Sequence, residues 1–276
     1  MTVRPFHLVF TLLAAATSAH AVNFSAGFDA PEFSIDNETD DVAGQNGWVI
    51  DDPTPDLSFF VNWGYLGSEE GNQGAAVGAY LDSPVNDRVE LAHAYGGRLV
   101  DSLATLKFAV QPSTPEYPGA DSFGWNYRDA GNTSLLTISL EPNLSFSDRM
   151  EVVWYNAANV RTETGYDLFY NSAYDLAIAF TGSGPDAVFS ASITGTETLP
   201  FSGTLSSLSE STLQSIGASI TRDPNSAEYG DNFFVFDALS IQAVVPEPAT
   251  GLLALAGLIS GVCRHLRSVP PPPLGR

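Results

Sequence analysis

The chain has 276 residues, of which 44% are hydrophobic and only 16% are charged. Its formal net charge is −21, with a pI near 4.2. The apolar share is that of a folded protein and argues against wholesale disorder. The excess of carboxylates argues against a nucleic-acid partner, because phosphates are bound by lysine and arginine and the sequence contains a single lysine, Lys107.

The first 21 residues have the three parts of a secretory signal peptide. Arg4 supplies the positive charge, residues 8–16 form a run of apolar or small residues, and Ala19-His20-Ala21 matches a cleavage site. The apolar run is too short to remain as a membrane anchor. We therefore expect export of the chain and cleavage after Ala21.

The C-terminal segment reads as a short membrane span. Residues 249–263 are apolar or small and uncharged. As a helix they would be about 22 Å long, against about 30 Å for the hydrocarbon core. Arg264 and Arg267 follow at once, and such residues stay on the cytoplasmic side. We expect a single transmembrane helix, with residues 22–243 outside as one folded body.

Pro246, Glu247 and Pro248 stand just before this segment. The order of this triplet, an apolar helix and arginines resembles the PEP-CTERM sorting signal, found on exported proteins of Gram-negative bacteria that make extracellular polysaccharide. The resemblance covers residues 244–276 and departs from the family in the four prolines at 270–273. It implies a membrane protease of the exosortase type as partner. It also implies a precursor held at the inner membrane and a mature protein at the cell surface or outside the cell.

The body has the pattern of short strands. Runs rich in valine, isoleucine, phenylalanine, tyrosine and threonine alternate with clusters of glycine, proline, asparagine and aspartate. Twelve such runs predict an all-β, antiparallel sandwich in one domain. The predicted strands are residues 23–28, 57–65, 74–81, 88–95, 104–110, 122–128, 135–140, 149–155, 174–181, 187–194, 215–221 and 233–244.

Two pieces of the body resemble concanavalin-like jelly-roll domains of other PEP-CTERM proteins. The first is residues 28–33 followed by residues 44–48, and the second is residues 230–241. The resemblance implies that the first and last strands pair, which would bring these pieces together. The only cysteine, Cys263, lies in the apolar tail, so no disulfide is expected in the body.

A structural calcium ion is one prediction for these terminal strands. Alternation along residues 233–243 places Asp237 on the more apolar face, where a lone carboxylate is costly. Hard oxygen ligands suit calcium. Asp29, Glu32, Asp231 and Asp237 are the candidate ligands. The alternative, that Asp237 accepts backbone N–H groups at a bend or faces solvent, stays open.

Catalytic motifs are lacking. The sequence has no G-x-S-x-G elbow, no phosphate-binding glycine loop and no H-E-x-x-H motif. His93 is the one histidine of the body, and its strand pattern predicts a packed or hydrogen-bonded residue. Glycoside hydrolysis needs two carboxylates across a cleft, and no pair stands out among so many. We expect no enzyme and no catalytic residue.

Aromatic residues on alternate positions allow two interpretations. Trp63 and Tyr65 share a strand face, as do Phe123, Trp125 and Tyr127. Such rings could stack on sugars, but alternating aromatics more often fill a sandwich core. The sequence therefore favours a non-catalytic surface or matrix protein with a structural or adhesive role in exopolysaccharide. The alternative is a carbohydrate-binding module with a defined glycan site, and a glycan hydrolase or lyase is a weaker one.

Overall fold

The computed structural model describes residues 24–28, 42–50, 58–62, 73–79, 88–95, 99–112, 121–129, 131–146, 148–182, 184, 186–205, 213–222 and 232–243. Within these ranges the regular structure is β-strand. The fifteen strands are β1 (Phe24–Ala26), β2 (Trp48–Ile50), β3 (Ser58–Asn62), β4 (Gln73–Ala79), β5 (Arg88–Ala94), β6 (Ser102–Pro112), β7 (Ser122–Asp129), β8 (Ser134–Pro142), β9 (Arg149–Asn156), β10 (Arg161–Phe169), β11 (Ala173–Thr181), β12 (Ala187–Thr194), β13 (Thr198–Leu205), β14 (Leu213–Thr221) and β15 (Asn232–Ala243).

The strands form two antiparallel sheets. The eight-stranded sheet has the order β13-β12-β11-β6-β15-β4-β3, and β1 also pairs with β15. The seven-stranded sheet has the order β10-β9-β8-β7-β14-β5-β2. Because one face of each sheet is apolar, the two faces pack together and enclose a common core. The predicted antiparallel sandwich is confirmed.

All twelve predicted strands are present, and three further strands were missed. Each missed strand has a weak sequence signal. β2 has only three residues, and β13 contains Pro200. β10 contains Thr162, Glu163 and Thr164 and buries one residue, Leu168, fully. β2, β10 and β13 all lie at sheet edges, where burial constrains the sequence least.

The pieces that resemble jelly-roll domains meet at the centre of the core. β1 pairs with β15 in the register Phe24 to Ile241. The Phe28 ring lies 5.3 Å from Trp48 and 5.3 Å from Phe236. Trp125 reaches the same Phe236 ring at 5.3 Å. Pairing of the first and last strands is thus observed, and an aromatic cluster fastens the two sheets together.

The predicted signal peptide at residues 1–21 and the predicted sorting tail at residues 244–276 lie outside the described residues. Among the residues that the structure does describe, there is no helix with the length and apolar character that a membrane span requires.

Candidate functional site

The outer face of the seven-stranded sheet is polar because side chains alternate along each strand. In β7, Phe123, Trp125 and Tyr127 point into the core and are at most 3% exposed. Asn126 and Arg128 project to the opposite face. The interpretation of these aromatics as core residues is confirmed, and Trp63 and Tyr65 lie outside the described residues.

A cavity of about 360 Å³ lies on this polar face. It crosses β5, β14, β7, β8 and β9, which are consecutive in the sheet. Residues that carry a hydroxyl group are the most frequent among those that line the cavity. The lining residues are Arg88, Ser122, Phe123, Gly124, Arg128, Ser134, Thr137, Ser139, Glu141, Tyr155, Asn159, Ser219 and Thr221.

At the β5–β7 end of the cavity floor, the lining residues Arg88 and Arg128 both bind one buried glutamate, Glu90. Glu90 is only 3% exposed, and Arg128 donates to both of its carboxylate oxygens, with Nε at 2.8 Å from Oε1. Arg88 donates from Nη2 to Oε2 of Glu90 at 2.8 Å. Burying a lone carboxylate is costly, and the two guanidinium groups compensate for the lost hydration. The trio carries a net charge of +1.

A hydrogen-bonded amide fixes the middle of the floor. Asn126 is fully buried, and its Nδ2 donates to Ser219 Oγ at 3.0 Å. Thr137 Oγ1 donates to Asn126 Oδ1 at 2.8 Å. The chain Thr137–Asn126–Ser219 spans three adjacent strands, β8, β7 and β14. These bonds hold the hydroxyl groups of the floor in fixed orientations.

A second cavity of about 620 Å³ adjoins the first, and both are lined by Ser122 and Glu141. One of its lining residues is Arg161, which donates to Glu141 at 2.9 Å, Glu151 at 2.9 Å and Glu163 at 2.6 Å. Hydrogen bonds to Glu163 and Glu141 raise the pKa of Arg161, so it stays charged. With three carboxylates around one guanidinium, this end of the site carries a net charge of −2.

Tyr155 joins the two cavities through Glu141. Its hydroxyl donates to Glu141 Oε1 at 2.5 Å. Burial first, and then the hydrogen bond to Glu141, raise the pKa of Tyr155 to about 12. The phenol is therefore neutral at ordinary pH, and because its O–H is donated to Glu141 it presents an acceptor oxygen and an aromatic ring on the wall of the groove. We call the two adjoining cavities the groove.

The predicted calcium ligands are only partly described. Asp29, Glu32 and Asp231 lie outside the described residues, whereas Asp237 is in β15 and 6% exposed. The alternative prediction that Asp237 faces solvent is therefore wrong. Within the part of the chain that is described, no group of three or more histidine, cysteine, aspartate or glutamate side chains is placed so that it could hold a metal ion. Calcium stays a prediction.

The face assigned to Asp237 needs one correction. A register shift lies between Asp237 and Ser240, and Ala238 has a φ of 49°. Phe236 and Leu239 therefore both point into the core, although strict alternation would put them on opposite faces. Asp237 shares its face with Val235, on the outer side of the eight-stranded sheet, and not with Leu239.

His93 is a packed and hydrogen-bonded residue, as predicted. Its Nε2 lies 2.9 Å from the carbonyl oxygen of Asn46. Its ring centroid lies 4.6 Å from Phe24 and 5.3 Å from Trp48. Burial lowers the pKa of His93, and its hydrogen bonds to backbone groups oppose this shift. The imidazole is a structural link between β5 and the turn before β2.

The groove residues were not singled out in the sequence. Each strand does show a polar phase: Arg88 and Glu90 in β5, and Asn126 and Arg128 in β7. Recognising the site would require knowing that β14 lies between these strands. The predicted sorting residues Pro246, Glu247, Pro248, Arg264 and Arg267 lie outside the described residues.

No protein family model and no curated protein matches the sequence. Solved structures are similar in fold at low identity. The chain is similar to a Lotus tetragonolobus seed lectin, with 12% identity, a TM-score of 0.47 and coverage of 74% of this chain and 96% of the lectin. It is also similar to an endo-β-1,4-glucuronan lyase from Trichoderma reesei, with 7% identity, a TM-score of 0.48 and coverage of 74% and 94%.

A third similar structure is an alginate lyase from Klebsiella pneumoniae, with 11% identity, a TM-score of 0.45 and coverage of 66% of this chain and 83% of the lyase. These structures are lectins in some cases and enzymes in others. Whether this chain is an enzyme is therefore not decided by the likeness, and its function has to be argued from the groove.

Proposed function

We propose that the chain is an exported, non-catalytic protein that binds polysaccharide in the groove and has a structural or adhesive role in an extracellular polysaccharide matrix. Its predicted sorting tail would bring it to the cell surface through a membrane protease of the exosortase type. The binding proposal rests on one observation, the two adjoining polar cavities on the outer face of the seven-stranded sheet.

The dimensions of the groove suit a chain of linked sugars. From β5 to β10 there are five gaps between neighbouring strands, which gives a width of about 24 Å at 4.7–4.9 Å per gap. A polar groove of this length can accommodate several linked sugar rings. Sugar hydroxyls both donate and accept hydrogen bonds, and the serine and threonine hydroxyls that line the first cavity do the same.

The acidic side chains of the groove favour binding over hydrolysis. Glu90 is held by Arg88 and Arg128, and Glu141 by Tyr155 and Arg161. A hydrolase needs one carboxyl group that gives up a proton and a second one across the cleft. Carboxylates fixed in ion pairs and hydrogen bonds hold neighbouring side chains in place, which is the arrangement expected of a binding surface.

A tryptophan placed in the groove tests the proposal. Thr221 is an exposed lining residue of β14, so Thr221→Trp would fill the first cavity. Thr204→Trp adds the same ring to an exposed position of β13, at the edge of the other sheet. We expect the purified chain to bind polysaccharides on a glycan array, with signals lost in the first variant and kept in the second.

Two results would contradict the proposal. Equal glycan signals in the two tryptophan variants would place binding elsewhere on the molecule. Shorter products after incubation with the bound glycan, or new unsaturated ends detected by ultraviolet absorbance, would show a hydrolase or a lyase. Circular dichroism of each variant checks that the sandwich is folded.

A further inference from the structure

We propose that the β5–β7 end of the groove binds an anionic group, a carboxylate or a sulfate ester, carried by the polysaccharide. The glycan would be one in which charged residues alternate with neutral ones. This inference rests on the proposed function and adds the chemical class of the ligand. It is carried by the positions of the few basic side chains and by the charges at the two ends of the groove.

Basic side chains are rare in the body, and three of the seven line the groove. Between residues 22 and 243 there are seven basic residues against 31 acidic ones. Arg88, Arg128 and Arg161 line the groove. Arg222 is buried with Asp121, and Arg149 packs on Phe146 and Phe169, with 4.4 Å and 4.7 Å between its guanidinium carbon and the ring centroids.

An acidic body repels anions over most of its surface, so a local excess of arginine marks where an anion can approach. At the β5–β7 end, two guanidinium groups share the one carboxylate of Glu90, which leaves a charge of +1. The buried position of Glu90 keeps its own charge away from the solvent side of the floor. An incoming anion therefore meets the arginines first.

The two arginines have different roles in this arrangement. Arg128 is 14% exposed, bonds both oxygens of Glu90, and donates from Nη1 to the carbonyl oxygen of Asn132 at 3.1 Å. Arg88 contacts Glu90 and Ser219 through Nη2, and its side chain keeps 43% exposure. Arg88 is the group that meets the ligand, while Glu90 and Arg128 are positioning residues that hold it in place.

Hydroxyl groups stand beside Arg88 in a row across the sheet. Thr221 in β14 is its register partner, and Ser122 in β7 is the register partner of Thr221. Neighbouring strands are about 4.8 Å apart, so a guanidinium and two hydroxyls follow each other at this spacing. An acidic sugar presents a matching set, because its charged group and its ring hydroxyls lie close together and a planar guanidinium binds a carboxylate well.

The other end of the groove limits how many charges the ligand can carry. There Arg161 is shared among Glu141, Glu151 and Glu163. This surplus of carboxylates repels a second anion. A glycan that carries a charge on every residue would place anions at both ends, whereas one with alternating charges can put a neutral residue beside the glutamates.

Isothermal titration calorimetry with three oligosaccharides of equal length tests the inference. The probes are hyaluronan, in which acidic and neutral residues alternate, oligoguluronate, in which every residue is acidic, and a neutral cello-oligosaccharide. We expect the purified chain to bind hyaluronan about tenfold more tightly than either other probe, with the advantage reduced at high salt. A sulfated oligosaccharide with the same charge spacing shows which anionic group is preferred.

Variants of single arginines assign the effect to the groove. Arg88→Gln should weaken hyaluronan binding by about tenfold or more, and by a larger factor than it weakens cello-oligosaccharide binding. Arg88→Lys keeps the charge but loses the planar fork, so its affinity should be intermediate. Arg149→Gln, which removes the same charge outside the groove, should bind like the unchanged protein.

The outcomes separate this inference from the proposed function. Equal affinity for all three probes, with binding still lost in Thr221→Trp, overturns the inference and leaves polysaccharide binding in place. The inference also fails if Arg149→Gln weakens hyaluronan binding as much as Arg88→Gln, because net charge would then explain the effect. Absence of binding to every glycan overturns both proposals.

Discussion

At the scale of single residues, His93 gives the body a defined response to mild acid. It is the only histidine between residues 22 and 243. Burial lowers its pKa below 6.5 in the folded chain. As the pH falls through 6.5, the unfolded chain takes up a proton that the folded chain does not. The contribution of neutral His93 to the free energy of unfolding is therefore fully present above pH 6.5, and it is lost as the pH falls from 6.5 through the lowered pKa of the folded chain.

Replacing His93 tests this dependence. Thermal unfolding between pH 7 and pH 5, followed by circular dichroism, should show a falling Tm for the unchanged chain. The loss is limited to one proton, about 1.4 kcal/mol per pH unit, and partial exposure of the ring reduces it. His93→Gln keeps a donor for the Asn46 carbonyl oxygen and should flatten the profile near pH 6. An unchanged slope in this variant would mean that carboxylates cause the loss.

Gly203 is a second residue with a specific consequence. A Cβ atom at this position would lie 2.5 Å from the Trp154 ring and 2.8 Å from the Phe189 ring. Trp154 and Phe189 already pack edge to face at 5.0 Å, so neither ring has room to move. We expect Gly203→Ala to lower the free energy of unfolding by about 1–3 kcal/mol, measured by urea denaturation.

The neighbouring residue provides the control for this measurement. Ser202 lies in the same strand and is exposed, so Ser202→Ala should change stability by less than about 0.5 kcal/mol. If the two alanine variants were equally stable, the contact between β13 and Trp154 would not be a tight one in solution.

At the scale of elements, the sheets end in strands that discourage further pairing. β13 is the edge of the eight-stranded sheet, and its Pro200 has no N–H to offer a neighbouring strand. Tyr166 of β10 donates to the Pro200 carbonyl oxygen at 3.0 Å. β10 is itself an edge, and its register shifts between Glu163 and Tyr166, next to Gly165 with a φ of 76°. Proline and bulges at edges protect natural sheets from self-association.

Replacing Pro200 should remove this protection against strand pairing. Pro200→Thr restores a donor and a residue that favours strands, so we expect concentrated solutions to form oligomers or aggregates, detected by multi-angle light scattering. Ser202→Thr introduces the same residue two positions away, where an N–H is already present, and should stay in the state of the unchanged chain. Identical scattering from the two variants would show that another feature protects this edge.

Individual strands also show how much of the fold and of the groove could be predicted from the sequence. β7 could be predicted because Phe123, Trp125 and Tyr127 alternate with polar residues, and burial of one face dictates such a pattern. The bulge at Ala238 could not be predicted, because a single extra residue leaves no periodic signal in the sequence. The floor of the groove was missed for another reason: Arg88 and Ser219 are 131 positions apart in the sequence. Alternation within a strand says which side chains share a face but not which strands are neighbours.

At the scale of the whole molecule, the distribution of charge separates the body from its predicted anchor. The body carries a net charge of −24, while four of the last 13 residues are basic, counting His265. An acidic body gains nothing from anionic lipid headgroups, which attract basic segments. Attachment to a membrane would then depend on the predicted helix at residues 249–263, and release would depend on cutting the tail.

Alanines in place of Pro246, Glu247 and Pro248 test this dependence in a host that carries the protease. We expect the precursor to stay in the membrane fraction, because alanines would remove the two prolines that the sequence predicts to keep the triplet extended and accessible to the protease. Alanines at residues 270–273, beyond the arginines, should leave processing as before. Release is measured by immunoblots of membrane and medium fractions. If the triplet variant were processed as fully as the unchanged chain, another feature would direct sorting, whereas glycan binding by the groove would be the same in either case.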